Sequence, residues 1–518
     1  MTGTKEQLAA IPRLFNRTLL LSVGLIAVSQ FNFGFDQTAY STTQAMDAFQ
    51  QQFGSKNAKG KYSLDTNFLA LLNSLPYIGF VIGLLIGSEI SSRWGRRMVM
   101  FVMSIYALCT AAITFSSRNQ AQILAARILN YGYVGMELAV VPVFQAEIVP
   151  KQVRGLVVET YQLMLFFGGL IMSLICFGTS KLDGNKSWLI PFGLFFVIPA
   201  IVAACIWFIP ESPRWLLLKG RDADAEIALR KLRSSAYTDE DIKLELDATR
   251  AIINEEKEMT TFWDLWKGSN LKRTLITCFV NFFLQLTGNT FANKYGTIYI
   301  KSLGSLDPFV MTVVNQLVNL MGVVFSMSLV DKMGRRQMLF MGGAIQIASL
   351  FTMGGLGASS SNPPQSYKVG IIAMLSIFGF GFASGWAPVS HILTAEIPST
   401  PVRDMTYRTA SAVNIVIQFV TTYATPYLLD KPYAGLGAKV GFIYGGAAVL
   451  ATIFAYFCVP ECKGKTLEEI DRLFLDGVPI RQFKKTKLTV ERVDDGDVEI
   501  VKERNNARVE MVEAERES

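Results

Sequence analysis

The chain has 518 residues, of which 51% are hydrophobic and 18% charged, and its formal net charge is +7. Charge confined to a few segments of so apolar a chain fits a polytopic membrane protein rather than a water-soluble enzyme, and the basic excess fits cytoplasmic loops without calling for nucleic acid. A single histidine, His391, excludes multi-histidine metal sites. Cys109, Cys176, Cys205, Cys278, Cys458 and Cys462 lie in or beside apolar runs without metal-like spacing, so they read as small core residues rather than a disulfide framework. No cofactor is implied.

Runs of about 20 apolar residues cross a bilayer as helices. In chain order they fall at 18–35, 68–90, 99–115, 121–144, 155–178 and 188–209, then at 275–300, 310–330, 338–356, 369–395, 406–429 and 441–459. The expected fold class is an all-α membrane protein of about twelve transmembrane helices in two six-helix bundles, 1–210 and 273–460. The first run follows Arg13 and Arg17 and carries Gln30, Asn32 and, at its end, Asp36, so it reads as a retained helix rather than a cleaved signal peptide. The segment 211–272 is polar and helical in pattern; it either packs beneath the bundle as short amphipathic helices or is a solvated linker. The tail 461–518 is charged, and its last thirty or so residues read as disordered.

The two halves repeat one another. SRWGRR at 92–97 returns as DKMGRR at 331–336, with Gly95 and Gly334 239 residues apart. Glu147 and Arg154 recur as Glu396 and Arg403, each 249 residues on, and Pro210-Glu211 as Pro460-Glu461, 250 on. Three features in the same order mark a duplicated unit. With a cytoplasmic N-terminus, the loops at 93–97, 151–154, 211–273, 332–336 and Arg403 all face the cytoplasm and hold most of the loop Lys and Arg, although Lys56, Lys59 and Lys61 run against that rule. Asn185 opens a glycosylation sequon in a short outer loop whose closeness to the membrane disfavours modification.

Asp36 is the acid to explain, since an ionised carboxylate near mid-membrane costs about 2.5–3.5 kcal/mol. Arg127 is the matching cation, and protonation of Asp36 would release it, which makes the pair a proton switch; the bland alternative is an Asp36 solvated at the outer interface. Glu147 with Arg154, and Glu396 with Arg403, sit at cytoplasmic helix ends beside the basic turns. Together with Arg96, Arg97, Glu211, Arg214, Asp331, Arg335, Arg336 and Glu461 they are read as a cytoplasmic gate that latches the halves in the outward-facing state, or else as topology-setting charge. Gln162, Gln285, Asn289, Thr290, Asn319, His391 and Asn414, drawn from spans in both halves, supply the donors and acceptors that suit a neutral polyhydroxyl substrate.

FGFD at 33–36, SRWGRR, Arg127 with Glu147 and Arg154, PESPRWL at 210–216, DKMGRR and PECKG at 460–464 resemble the fungal-type sugar porter family of the major facilitator superfamily, from the first span to Glu469. The resemblance implies two six-helix bundles rocking about a central site, with Asp36 and Arg127 as the coupling pair of the proton symporters. At the sugar site the match is partial. The family's QQLxGxN reads LQLTGNT at 284–290, the tryptophan usually presented from helix ten is His391, and the one after Asn414 is Ile415, whereas Gln162, Gln285, Asn319 and Asn414 match. Loss of both aromatic platforms implies a changed specificity.

The leading expectation is proton-coupled symport of a sugar or polyol by alternating access, in the plasma membrane with both termini cytoplasmic; the partners are a sugar-like solute, a proton and the bilayer. The rival is a sugar-porter-like carrier of an organic acid or secondary metabolite, including an exporter. A non-transporting nutrient sensor would call for a long signalling tail, and 463–518 is short. No nucleophile with its base is discernible, so an enzyme is not expected.

Overall fold

The computed structural model of the protein describes residues 16–56, 60–150, 154–233, 237–256, 261–359, 363–399, 402–431, 433–465, 467–484, 486, 488–492 and 498–502. Among them are twelve long helices: α1 (Arg17–Thr43), α2 (Thr66–Trp94), α3 (Arg96–Ser116), α4 (Gln120–Ile148), α5 (Arg154–Thr179), α6 (Lys186–Phe208), α7 (Gly268–Leu303), α8 (Pro308–Met333), α9 (Arg335–Ala358), α10 (Gln365–Glu396), α11 (Arg403–Leu429) and α12 (Val440–Cys458). Eleven of these are long and apolar enough to cross a membrane. The exception, α4, carries Arg127, Glu137 and Glu147 and is lodged in the first bundle with Arg127 and Glu137 buried. The chain is an all-α, multi-pass membrane protein.

Within a bilayer helices gain little from apolar burial against one another, so close backbone approach at small residues does much of the packing. In the first bundle α2 lies on α4 and α1 on α5. A Cβ on Gly83 would fall 2.0 Å from the Gly132 carbonyl oxygen, and one on Gly34 1.7 Å from that of Leu165. In the second bundle α9 packs on α10 and α12, and α7 on α11. The bundles meet where α5 touches α8 and where the start of α2 touches α11.

The repeated basic turns have one conformation. Gly95 (φ 97°) separates α2 from α3 and Gly334 (φ 99°) separates α8 from α9. Any other residue there is strained, and a Cβ would also fall 2.4 Å from Glu211 Oε2 or 2.7 Å from Glu461 Oε2. These two glutamates belong to the third repeated feature, Pro210-Glu211 and Pro460-Glu461. Glu211 accepts the N–H groups of Arg96 (3.0 Å) and Arg97 (3.1 Å), and Glu461 those of Arg335 (3.0 Å) and Arg336 (3.1 Å). Each carboxylate thus satisfies N–H groups that the start of a helix leaves unpaired.

The segment after α6 folds into Pro213–Leu218, Asp222–Leu232 and Asp239–Glu256, which share a small apolar core around Trp215, Leu229 and Leu246. It is fastened to the first bundle: Asn16, the N-cap of α1, donates to Lys231 O (2.9 Å), and buried Arg233 donates to Ile148 O (2.9 Å) while pairing with Glu245. Leu467–Leu475 is fastened to the start of α7 by Arg273 and Asp471. Leu488–Arg492 pairs antiparallel with Val498–Lys502, a hairpin where the sequence reads disorder; β-branched residues such as Thr489, Val490, Val498 and Ile500 favour the extended chain. Residues 503–518 lie outside the described residues.

Candidate functional site

Between the bundles lies a cavity of about 170 Å³ walled by α1, α5, α7, α8, α10 and α11. Its polar lining includes Gln37, Gln162, Gln285, Asn289, Thr290, Asn293, Lys294, Gln316, His391 and Gln418. Five of the seven substrate residues expected from the sequence are here: Gln162, Gln285, Asn289, Thr290 and His391. Asn319 lies in a small adjoining recess with Asn289, Asn293 and Asn315. Asn414 stands behind the wall: it accepts from Gln285 Nε2 (3.2 Å) and donates to Asn281 Oδ1 (3.2 Å), so it orients Gln285. Helix α7 supplies five of the ten polar groups named, Gln285 before and Asn289, Thr290, Asn293 and Lys294 after the break at Gly288 (φ 96°). Beyond the break, Asn289 with Asn293 and Thr290 with Lys294 are four apart and share faces.

The sequence reading missed Gln37, Asn293, Lys294, Gln316 and Gln418. The helical spacing of Asn289 and Asn293, of Thr290 and Lys294, and of Asn414 and Gln418 was a signal for three of them.

Helix α1 runs to Thr43 rather than stopping near Phe35, because its polar end, including Thr38, Tyr40, Thr42 and Thr43, is buried in the bundle. Asp36 is therefore mid-helix and 3% exposed, not solvated at an interface. Its expected ion pair is absent. Asp36 Oδ2 accepts from Asn130 Nδ2, and Oδ1 has no hydrogen-bond partner. Arg127 instead donates to Leu72 O (2.9 Å) and Asn73 Oδ1 (3.4 Å) and lies 3.9 Å over the Tyr40 ring. Tyr40 is four residues after Asp36 and Arg127 three before Asn130, so acid and cation stand one turn apart, about 5 Å along the axis. A second acid was overlooked: Glu137, fully buried on α4 near Tyr133 and Tyr161, with neither oxygen partnered.

At the end of the bundles that carries the basic turns, Arg96 binds Glu147 through two bonds (2.9 and 2.8 Å) and Arg335 binds Glu396 (2.9 Å). Both pairs lie inside one bundle rather than across the two. Arg97 donates to Trp207 O (3.0 Å) and stacks on its indole, and Arg336 does the same with Tyr456. Burial raises the Glu211 carboxyl above the ordinary carboxylate range, opposed by the N–H groups of Ser212, Arg97 and Arg96. Arg214 lies in Pro213–Leu218 and Arg403 opens α11, while the side chains of Arg154 and Asp331 lie outside the described residues.

Bonds between the bundles gather at the opposite end. Lys301 reaches Ala45 O (2.7 Å), Asp47 Oδ1 (2.6 Å) and Gln50 Oε1 (3.0 Å). Lys294 reaches Tyr77 OH (2.7 Å), Thr66 reaches Asp430 Oδ2 (3.0 Å) and Tyr427 reaches Asn67 Oδ1 (3.0 Å).

Two six-helix bundles around a central polar cavity, with the basic turn and its glutamate repeated in each, define a multi-pass protein of the major facilitator class. The Sugar (and other) transporter family matches residues 23–474, and the chain belongs to that family. It is 28% identical over 481 residues to Hexose transporter 2 of Kluyveromyces lactis, covering 90% of this chain and 84% of that one. It is 30% identical over 465 residues to the galactose transporter of Saccharomyces cerevisiae, covering 88% and 80%. The partially occluded inward-open structure of the xylose transporter XylE of E. coli matches with a TM-score of 0.73 at 20% identity, over 87% of this chain and all of that one. The proton:xylose symporter XylE bound to 6-bromo-6-deoxy-D-glucose matches with a TM-score of 0.71 at 21% identity, over 88% and 99%. These relatives are transporters, not enzymes.

Proposed function

We propose that the protein is a secondary active carrier that moves a sugar or polyol together with a proton by alternating access. The observation that carries this reading is the cavity between the bundles, lined from both halves by amides, which donate and accept as vicinal hydroxyls require. The hexose and galactose transporters among its relatives support the substrate class.

Asp36 is the proton site in this reading. Its buried carboxylate has one oxygen free to take a proton, and the gain of that proton leaves Arg127 one turn away without a compensating charge. The symporter XylE, described as proton-coupled, supports the coupling. With both termini and the basic turns cytoplasmic, the bonds made by Lys301, Lys294, Thr66 and Tyr427 close the outer side, so the conformation is inward-facing. Opening outward breaks those bonds, and the charges at 96–97, 147, 154, 335–336, 396 and 403 then act as the cytoplasmic latch in the plasma membrane.

The test is uptake of a radiolabelled panel of sugars, polyols and sugar acids by transport-deficient cells expressing the protein, with external pH recorded. Saturable uptake accompanied by external alkalinisation is expected. A panel in which no polyhydroxylated solute enters above control overturns the reading.

A further inference from the structure

Lys294 is the one residue of the cavity wall whose chemistry a neutral sugar does not need. It is 2% exposed, lines the cavity from α7, and its ammonium donates to Tyr77 OH (2.7 Å) and Asn73 O (3.4 Å). It also lies 4.3 Å from the Tyr77 ring centre and 5.5 Å from that of Tyr131. Every one of these groups is neutral. A second cation stands beside it: Arg127 shares Asn73 and the Tyr131 ring. Among the described residues no carboxylate pairs with Lys294; Asp36 accepts from Asn130 instead. A buried ammonium normally has a counter-ion, and retaining one in a membrane cavity marks a function.

We infer that Lys294 anchors a carboxylate on the substrate, so that the cavity takes polyhydroxylated monocarboxylates, the sugar acids, ahead of neutral sugars. This rests on the carrier reading above and narrows its substrate class. The ammonium supplies a charge-assisted bond to the carboxylate, while Gln285, Asn289 and Gln162 remain for the hydroxyls. The placement also gives the carboxylate a moment to bind. Lys294 belongs to the second bundle and both of its acceptors, Tyr77 and Asn73, to α2 of the first. When the bundles part at that end, the ammonium loses both acceptors together, and an arriving carboxylate replaces them.

The experiment uses the full chain in proteoliposomes, with labelled D-gluconate and D-glucose as probes. Wild type is expected to carry gluconate at least about ten-fold better than glucose, the factor one charge-assisted hydrogen bond represents. Lys294→Met is expected to lower the gluconate-to-glucose ratio at least about ten-fold, and Lys294→Arg, which keeps the cation, to hold it within about three-fold of wild type. As a check independent of turnover, gluconate should raise the melting temperature of purified wild type but not of Lys294→Met. Glucose uptake with gluconate neither entering nor competing, or an unchanged ratio in Lys294→Met, overturns the inference and leaves the carrier reading standing. If wild type carries neither probe nor any neutral polyol, and binds none, both fall.

Discussion

Replacing Glu461 by Gln alters the start of α9 while keeping the side chain's shape. Glu461 is 6% exposed, and its oxygens receive the N–H groups of Arg335 (3.0 Å), Arg336 (3.1 Å) and Lys463 (3.1 Å). A glutamine offers one oxygen and one NH2, so at least one backbone donor is left facing another donor. A hydrogen bond to a charged group contributes about 1.5–3 kcal/mol, and a carboxylate at a helix N-terminus about 0.3–1 kcal/mol more. Losing one bond and the charge therefore costs about 2–4 kcal/mol. At about 2–4 °C per kcal/mol for a unit of 150–250 residues, the melting temperature of the detergent-purified protein should fall by about 4–16 °C. Glu211→Gln should cost a similar amount, because Glu211 holds the N–H groups of Arg96, Arg97 and Ser212 at 3.0, 3.1 and 2.8 Å. A Glu461→Gln protein that melts within about 1 °C of wild type, with Glu211→Gln behaving alike, would refute the view that these glutamates are the repeated caps of the two bundles.

Three further outcomes are expected. Glu137→Gln replaces a buried, unpartnered carboxylate by a neutral amide and should raise the melting temperature by about 2 °C or more; a fall would mean that the acid has a stabilising partner. Neutralising Glu147 or Glu396 should move the population further toward the inward-facing state, read as faster labelling of an engineered cysteine from the cytoplasmic side, and unchanged labelling assigns these charges to topology alone. His391→Ala should weaken substrate binding and His391→Trp should move preference toward common hexoses, since indole offers a larger apolar face than imidazole; identical competition profiles in both variants remove His391 from the site.

What was legible in the sequence followed from local rules. Gly95 and Gly334, each before paired arginines, announced a turn that only glycine adopts easily, and their recurrence with Glu211 and Glu461 announced the duplication. Apolar runs located the helices but not their ends. Helix α1 gains about two further turns from burial of Thr38, Tyr40, Thr42 and Thr43, a tertiary effect that hydropathy along the chain does not register. Asp36 and Arg127 were singled out by charge, yet which group meets the carboxylate depends on helix phase, and a one-turn offset gives that place to Asn130. Glu137 and Lys294 were hidden inside apolar runs. Only the packing reveals that both are enclosed and that Lys294 reaches across to the other bundle.

In the proposed cycle, substrate movement is coupled to a proton through Asp36. Its most direct test is accumulation in proteoliposomes, without membrane potential, of the substrate identified by the uptake panel. A pH gradient of one unit, acid outside, is worth about 1.36 kcal/mol per proton, or about ten-fold accumulation at one proton per cycle. Wild type should approach this ratio transiently, whereas Asp36→Asn should exchange substrate but stop at equal concentrations. Accumulation by Asp36→Asn equal to wild type, or a wild-type ratio indifferent to the gradient, would contradict it.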